Sequence, residues 1–275
     1  MARTDPDAET HGGEMFHPTT SKRSKSILLA ALGLGLATTS AAAQNATNKA
    51  TAAGGGVRAV LELFTSQGCS SCPAADALLG KYAADKSVIA LSLPVDYWDY
   101  LGWKDTLAKP KFTARQKYYA KARGDGRVYT PQVVVSGRTH VIGSSADAIE
   151  AAIESTAKDL EANRIPVGIR IEGKHLVVET GAAPPGAGVR EATIWLAMVH
   201  RQFEVKIERG ENRGKTVQYV NVVRELNPIG VWMGKPDTLQ ISRDAVAEPG
   251  NEMCVVFLQV GKAGPIVGAA SVAGL

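Results

Sequence analysis

The chain has 275 residues, 45% of them hydrophobic, enough for one large or two ordinary domains with a real core. Its net charge of +4 is small, and no lysine/arginine block forms a stripe, which argues against a nucleic-acid partner. No phosphate-cradling glycine motif occurs, and no cofactor is expected.

Lys22, Arg23 and Lys25 precede an apolar run at 27–37, and small residues follow as far as Ala41-Ala42-Ala43. Basic flank, short apolar stretch and A-x-A end are the three parts of a secretory signal peptide, so residues 1–43 are read as one, cleaved after Ala43. Met15 offers an alternative start, because residues 1–14 add nothing a signal needs. The apolar run is too short to span a bilayer comfortably, so no stable membrane insertion is expected after cleavage. The expected location is periplasmic or secreted, where disulfides persist. Residues 44–56, QNATNKATAAGGG, read as a flexible leader.

From residue 57 the pattern becomes ordered. Residues 57–64 are β-rich, and 74–84 place Ala75, Leu78, Leu79 and Tyr82 at helical spacing. Residues 88–95, VIALSLPV, are too continuously apolar to be a half-exposed strand. A polar and aromatic insert, 96–126, is expected to hold one or two helices. Residues 132–135 and 139–142 read as a hairpin turning at Ser136-Gly137-Arg138. Ser144 is the expected cap of a last helix, with Asp147 three residues on. This order fits a mixed α/β domain over 57–162. Beyond it, short strand-like runs at 167–171, 176–180, 193–199, 203–207, 216–223, 238–241 and 255–260 alternate with glycine- and proline-bearing loops. They predict a second, mainly β, sandwich-like domain over 163–275.

Three cysteines are present, Cys69, Cys72 and Cys254, which fits one functional pair and one odd thiol. The stretch GCSSCP (68–73) follows the first strand. With Cys69 opening a helix and Cys72 one turn in, the helix N-terminus favours thiolate at Cys69, the expected nucleophile. Cys72 is then the resolving thiol. Ser70 and Ser71 add donors, and Pro73 suits a first turn. A zinc site needs about four ligands, yet only the scattered Cys254, His140, His175 and His200 accompany the pair in the exported chain. Copper held by two thiolates and a histidine, and a plain structural disulfide, stay open beside redox exchange. Cys254, in an apolar run, reads as a buried, inert thiol. No histidine is assigned a catalytic role.

A strand, a C-x-x-C at a helix start, and Thr130-Pro131 opening a strand that hairpins into a last helix together resemble the thioredoxin fold. More narrowly, LELFTSQGCSSCP, PVDYWDYLGWKD, ARQKYYA and YTPQVVVSGR are similar to an uncharacterised secreted thioredoxin-like family of Gram-negative bacteria, a domain of unknown function. The likeness covers about residues 59–158 and continues through ENRGKTVQYVNVVREL, 211–226. It implies a thioredoxin-like α/β fold, a central mixed sheet flanked by helices, ahead of the mainly β region. It also implies that Pro131 is cis beside the cysteines, with Thr130 docking an extended substrate backbone. Trp98, among the aromatics of the insert, is a candidate substrate-binding residue. Thioredoxins carry an aspartate near the position of Glu62, one residue out of step, which makes Glu62 a candidate proton acceptor. The implied partners are protein or peptide thiols and disulfides, with a redox partner protein. A non-catalytic protein that binds a peptide, a partner or copper through the same fold is the rival reading.

Overall fold

The computed structural model describes residues 56–246 and 250–275. The expected signal peptide and nearly all of the leader lie outside the described residues. Strand β1 (Ala59–Thr65) leads through the cysteine loop into α1 (Cys72–Ala84), and β2 (Val88–Pro94) follows. The aromatic insert then forms a short helical turn at Asp99–Leu101 and α2 (Pro110–Arg123). The hairpin β3 (Gln132–Val135) and β4 (Thr139–Ile142) leads into α3 (Ala146–Asn163). The start of α3 is shifted along the chain from expectation: Ser145, not Ser144, is the cap, because its hydroxyl is the one that accepts from the Ala148 N–H, at 3.4 Å.

The later half adds β5 (Val167–Glu172), β6 (His175–Thr180), β7 (Ala192–Lys206), β8 (Thr216–Trp232), β9 (Asp237–Ser242), β10 (Met253–Gln259) and β11 (Ile266–Ala273). The runs at 193–199 and 203–207 are thus one long strand, β7, which stays paired with β8 across both register shifts. Strand β11, IVGAASVA, was not anticipated; its small residues give a weak strand signal on their own. Among the described residues no helix is long and apolar enough to cross a membrane.

The sheet order is β11-β10-β7-β8-β2-β1-β3-β4, a mixed eight-stranded sheet. Strands from both sides of residue 163 share it, so the expected boundary there does not divide one sheet from another. Burial explains this joining. All residues of β2 are buried, and β2 has β1 on one edge and a parallel bridge from Ser92 to Val222 of β8 on the other. A strand so apolar is stable only with both faces and both edges covered. The sandwich element survives in another form. The three-stranded sheet β5-β6-β9 packs Ile169, Leu176 and Val178 against Ile194, Leu196, Cys254 and Val256 of β7 and β10.

Alternation along β1 sends its side chains to two cores. Ala59, Leu61 and Leu63 meet Ala75 and Leu79 of α1 and Ile149 and Ile153 of α3. Val60 and Phe64 meet Phe112 and Tyr119 of α2 on the other face. The sheet coils enough that its two ends share this second core: Val134 of β3 lies in it with Phe257 of β10 and Ile266 of β11. The Ile266 N–H donates to the Ser136 carbonyl at 2.8 Å where the ends meet.

Candidate functional site

Cys69 and Cys72 form a disulfide, their Cα atoms 5.4 Å apart. The loop after β1 is held by backbone bonds from Cys69 N–H to Ser66 O (3.1 Å) and from Cys72 N–H to Cys69 O (3.2 Å). The helix therefore starts at Cys72, not at Cys69 as expected. Pro73 occupies its first turn, where a missing N–H leaves nothing unpaired. Ser71 stands at the cap position without making a side-chain cap bond; its hydroxyl instead lies 3.5 Å from Cys69 Sγ. Cys69 still lies at the helix N-terminus, because its sulfur is bonded to that of Cys72, the first helical residue. Cys69 is 3% exposed and Cys72 0%, while Ser70 and Ser71 are the residues at the surface.

The Thr130-Pro131 bond is cis. Trp98 links it to the cysteine loop: its Nε1–H donates to Thr130 Oγ1 at 2.7 Å, and its Cβ would lie 3.0 Å from a Cβ on Gly68. A side chain at that position would press on Trp98. Pro131 in turn lies beside Ala75 of α1, since a Cβ on Gly143 would meet both within 3.2 Å. The structure thus gathers Cys69, Cys72, Trp98, Thr130 and Pro131 in one place. The other insert aromatics divide: Phe112 and Tyr119 are core residues, whereas Tyr100 stacks on Trp98 and is 76% exposed.

Glu62 does not join them. It sits on the Val60/Phe64 face of β1, opposite α1, because a strand turns successive side chains to opposite faces. There Arg115 holds both its oxygens, at 2.6 and 3.1 Å, and Tyr119 Oη donates to it as well. Gln259 closes the network, accepting from Arg115 at 3.1 Å and donating to Tyr119 at 2.8 Å. A carboxylate committed to a buried ion pair is a structural charge and not a proton acceptor for the cysteines.

The buried acid on the cysteine side is Asp76, which is not among the residues expected from sequence. It follows Cys72 by four residues on the inner face of α1, where i and i+4 side chains are neighbours. Asp76 is 3% exposed and neither of its oxygens has a hydrogen-bond partner. Burial pushes its carboxyl up to about 8, against the pull of the Thr65 hydroxyl and with the charge of Asp105 adding to the rise. Asp105 is itself raised by burial, although the backbone N–H groups of Gln67, Leu107 and Ala108 all donate to it. Tyr219 is raised too, by burial and then by these two acids. The signal for Asp76 was present in CPAAD: the stripe that carries Ala75, Leu79 and Tyr82 inward carries position 76 with them.

Cys254 lies apart, fully buried in β10 against Met198, its thiol pushed up to about 12 by burial. His140 bonds Tyr129 and Asp125, and His200 stacks on Phe203. Among the described residues no group of three or more histidine, cysteine or acidic side chains is placed to hold a metal.

Residues 60–259 match the family model described as protein of unknown function (DUF1223). The chain belongs to that family. The matched DUF1223 span contains the cysteine loop, Asp76, Trp98 and Thr130-Pro131. A crystal structure of protein AGR_C_4864 from Agrobacterium tumefaciens is similar at 35% identity and a TM-score of 0.71, over 80% of this chain and 96% of that one. HBP35 of Porphyromonas gingivalis is similar at 12% identity and a TM-score of 0.53, over 78% and 74% of the two chains, a likeness of fold alone. No curated protein matches.

Proposed function

We propose that this DUF1223 protein is an exported thiol-disulfide exchange protein with a thioredoxin-like arrangement over its first half. The observation that carries the reading is the Cys69–Cys72 disulfide at the start of α1, with a cis Thr130-Pro131 bond beside it and the unpartnered Asp76 one turn behind. In the reduced pair, the Cys69 thiolate attacks a substrate disulfide, forming a mixed disulfide and releasing one substrate thiolate. The deprotonated form of Asp76, populated as pH approaches about 8, takes the Cys72 proton, and Cys72 attacks Cys69 Sγ. The bond to the substrate breaks, and the second substrate thiolate leaves and takes up a proton. The pair is oxidised and the substrate disulfide reduced; the reverse sequence oxidises a substrate dithiol. The substrates are protein or peptide disulfides, with Thr130 and Trp98 lining the approach. Export is supported by the basic flank, apolar run and A-x-A end of residues 22–43.

One observation favours the rival reading of a binding protein with a structural disulfide: both cysteines are buried. Equilibrating the protein with glutathione at graded ratios and counting alkylated thiols separates the two. Exchange predicts a measurable midpoint, no turnover for Cys69→Ser, and trapped mixed disulfides for Cys72→Ser. A pair that stays closed at every ratio, with nothing trapped by Cys72→Ser, sinks exchange in favour of the staple.

A further inference from the structure

The turn between β7 and β8, GENRG, carries a side chain into the cysteine loop. Asn212 is 1% exposed. Its Nδ2 donates both hydrogens to backbone carbonyls of that loop, Gln67 O at 2.9 Å and Cys69 O at 2.8 Å. Its Oδ1 accepts from Lys215 Nζ at 2.8 Å. Both ends of the amide are thus used, which fixes the orientation of the group. Lys215 also lines a surface hollow with Pro73 and Ala77 at the start of α1. The turn also packs closely on the insert: at Gly210, φ +74°, a Cβ would lie 3.2 Å from Trp103 Cβ. Trp103 in turn donates to Gln67 Oε1 at 2.8 Å.

We infer that the β7–β8 turn is a working element of the cysteine site, with Asn212 as the positioning residue that holds Cys69 where its sulfur meets that of Cys72. The inference rests on the exchange reading and gives the later half of the chain a role in it. The Cys69 carbonyl accepts both Asn212 Nδ2–H and the Cys72 N–H, so Asn212 ties the two ends of the C-x-x-C loop to a third element. A loop held in its closed geometry has less entropy to lose when the sulfurs join, which raises the effective concentration of one thiol for the other. Opening the loop to a substrate means breaking buried bonds to Asn212. Asn212 therefore favours the closed disulfide and slows attack on it. Lys215 holds the amide from behind, and its positive charge beside the helix start favours thiolate over thiol at Cys69.

The test is the disulfide equilibrium constant against dithiothreitol or glutathione, with the rate of reduction by dithiothreitol, for wild type, Asn212→Ala, Lys215→Met and Gln218→Ala. Gln218 lines the same hollow as Lys215 but bonds Gln202 and Glu204 of β7 rather than the cysteine loop, and serves as the control. Losing two buried hydrogen bonds is expected to lower the constant for Asn212→Ala about tenfold, which is about 30 mV for a two-electron couple. Reduction should become several-fold faster. Lys215→Met slows alkylation of reduced Cys69 at mildly acidic pH and moves the constant less than Asn212→Ala does, because the loosened amide and the lost thiolate stabilisation act on it in opposite directions. Gln218→Ala moves neither. A constant unchanged in Asn212→Ala, or shifted equally by Gln218→Ala, overturns the inference. A wild-type pair that resists excess dithiothreitol overturns the exchange reading instead. Amide hydrogen exchange across residues 67–72 then decides the clamp by itself: Asn212→Ala accelerates it if Asn212 holds the loop, and no acceleration overturns that too.

Discussion

Two buried acids, Glu62 and Asp76, show how environment assigns a role that residue type does not. Glu62 is ion-paired with Arg115 and belongs to the architecture. Asp76 has no partner, so its charged form is the costly one. In the unfolded chain Asp76 loses its proton near its ordinary 3.8, while in the folded chain it holds the proton up to about 8. Over that window the folded state binds the extra proton, so stability falls as pH rises through it, and below about pH 4 the penalty is absent. Asp76→Asn should therefore stabilise the protein by about 5 kcal/mol at about pH 7.5 and by less than about 1 kcal/mol at about pH 4. Denaturant unfolding at the two pH values checks this; equal gains at both would mean that Asp76 is not a buried neutral acid. In the proposed exchange the resolving step draws on the same carboxyl, so the variant should also release mixed disulfides more slowly.

The turn of the hairpin β3–β4 ties together distant parts of the fold. Ser136 and Gly137 both have positive φ, 48° and 66°. At Gly137 the close approach of the chain beyond β10 makes glycine obligatory, since a Cβ there would lie 2.2 Å from the Gly264 carbonyl oxygen. The same turn holds Ile266 through the Ser136 carbonyl, joining the two ends of the coiled sheet. Gly137→Ala should cost more than about 2 kcal/mol, well above the usual exposed-turn substitution, because it adds backbone strain to a clash with backbone. Thermal unfolding would show it. A loss within ordinary surface range would mean that the turn and the 260–265 loop move apart freely. The turn was legible in SGR; its contact was not, because most of the later half of the chain separates Gly137 from Gly264 in sequence.

At the scale of the whole molecule, the later half completes the earlier one. It supplies β8 as the neighbour of β2, Gln259 to the Glu62–Arg115 network, and Asn212 to the cysteine loop. The core around Phe64, Phe112 and Tyr119 is closed by Val223, Phe257 and Ile266. A fragment ending at residue 163 would expose this apolar face and leave Arg115 and Glu62 open to water. It should fail to unfold cooperatively and should aggregate at micromolar concentration, as read by circular dichroism and light scattering. A soluble fragment with a sharp unfolding transition would restore the idea of two independent domains.

Sequence by itself determined the local elements and the place of the cysteine pair. Apolar period, glycine turns and C-x-x-C after a strand depend on neighbours along the chain, and they located β1, α1, β2, the hairpin and the Cys69–Cys72 pair; Thr130 and Pro131 came only from the resemblance to the thioredoxin fold. The partners of buried charges lay beyond its reach. Glu62 and Asp76 are both acids in apolar surroundings, and only the sheet face each occupies gives one an arginine and the other none. The same holds for the sheet. Edge pairing is a contact between distant strands, so a pattern of short β runs after residue 163 is equally consistent with a separate sandwich and with an extension of the first sheet. Tertiary structure decided for the extension, because β2, apolar on both faces, could not leave its second edge to water.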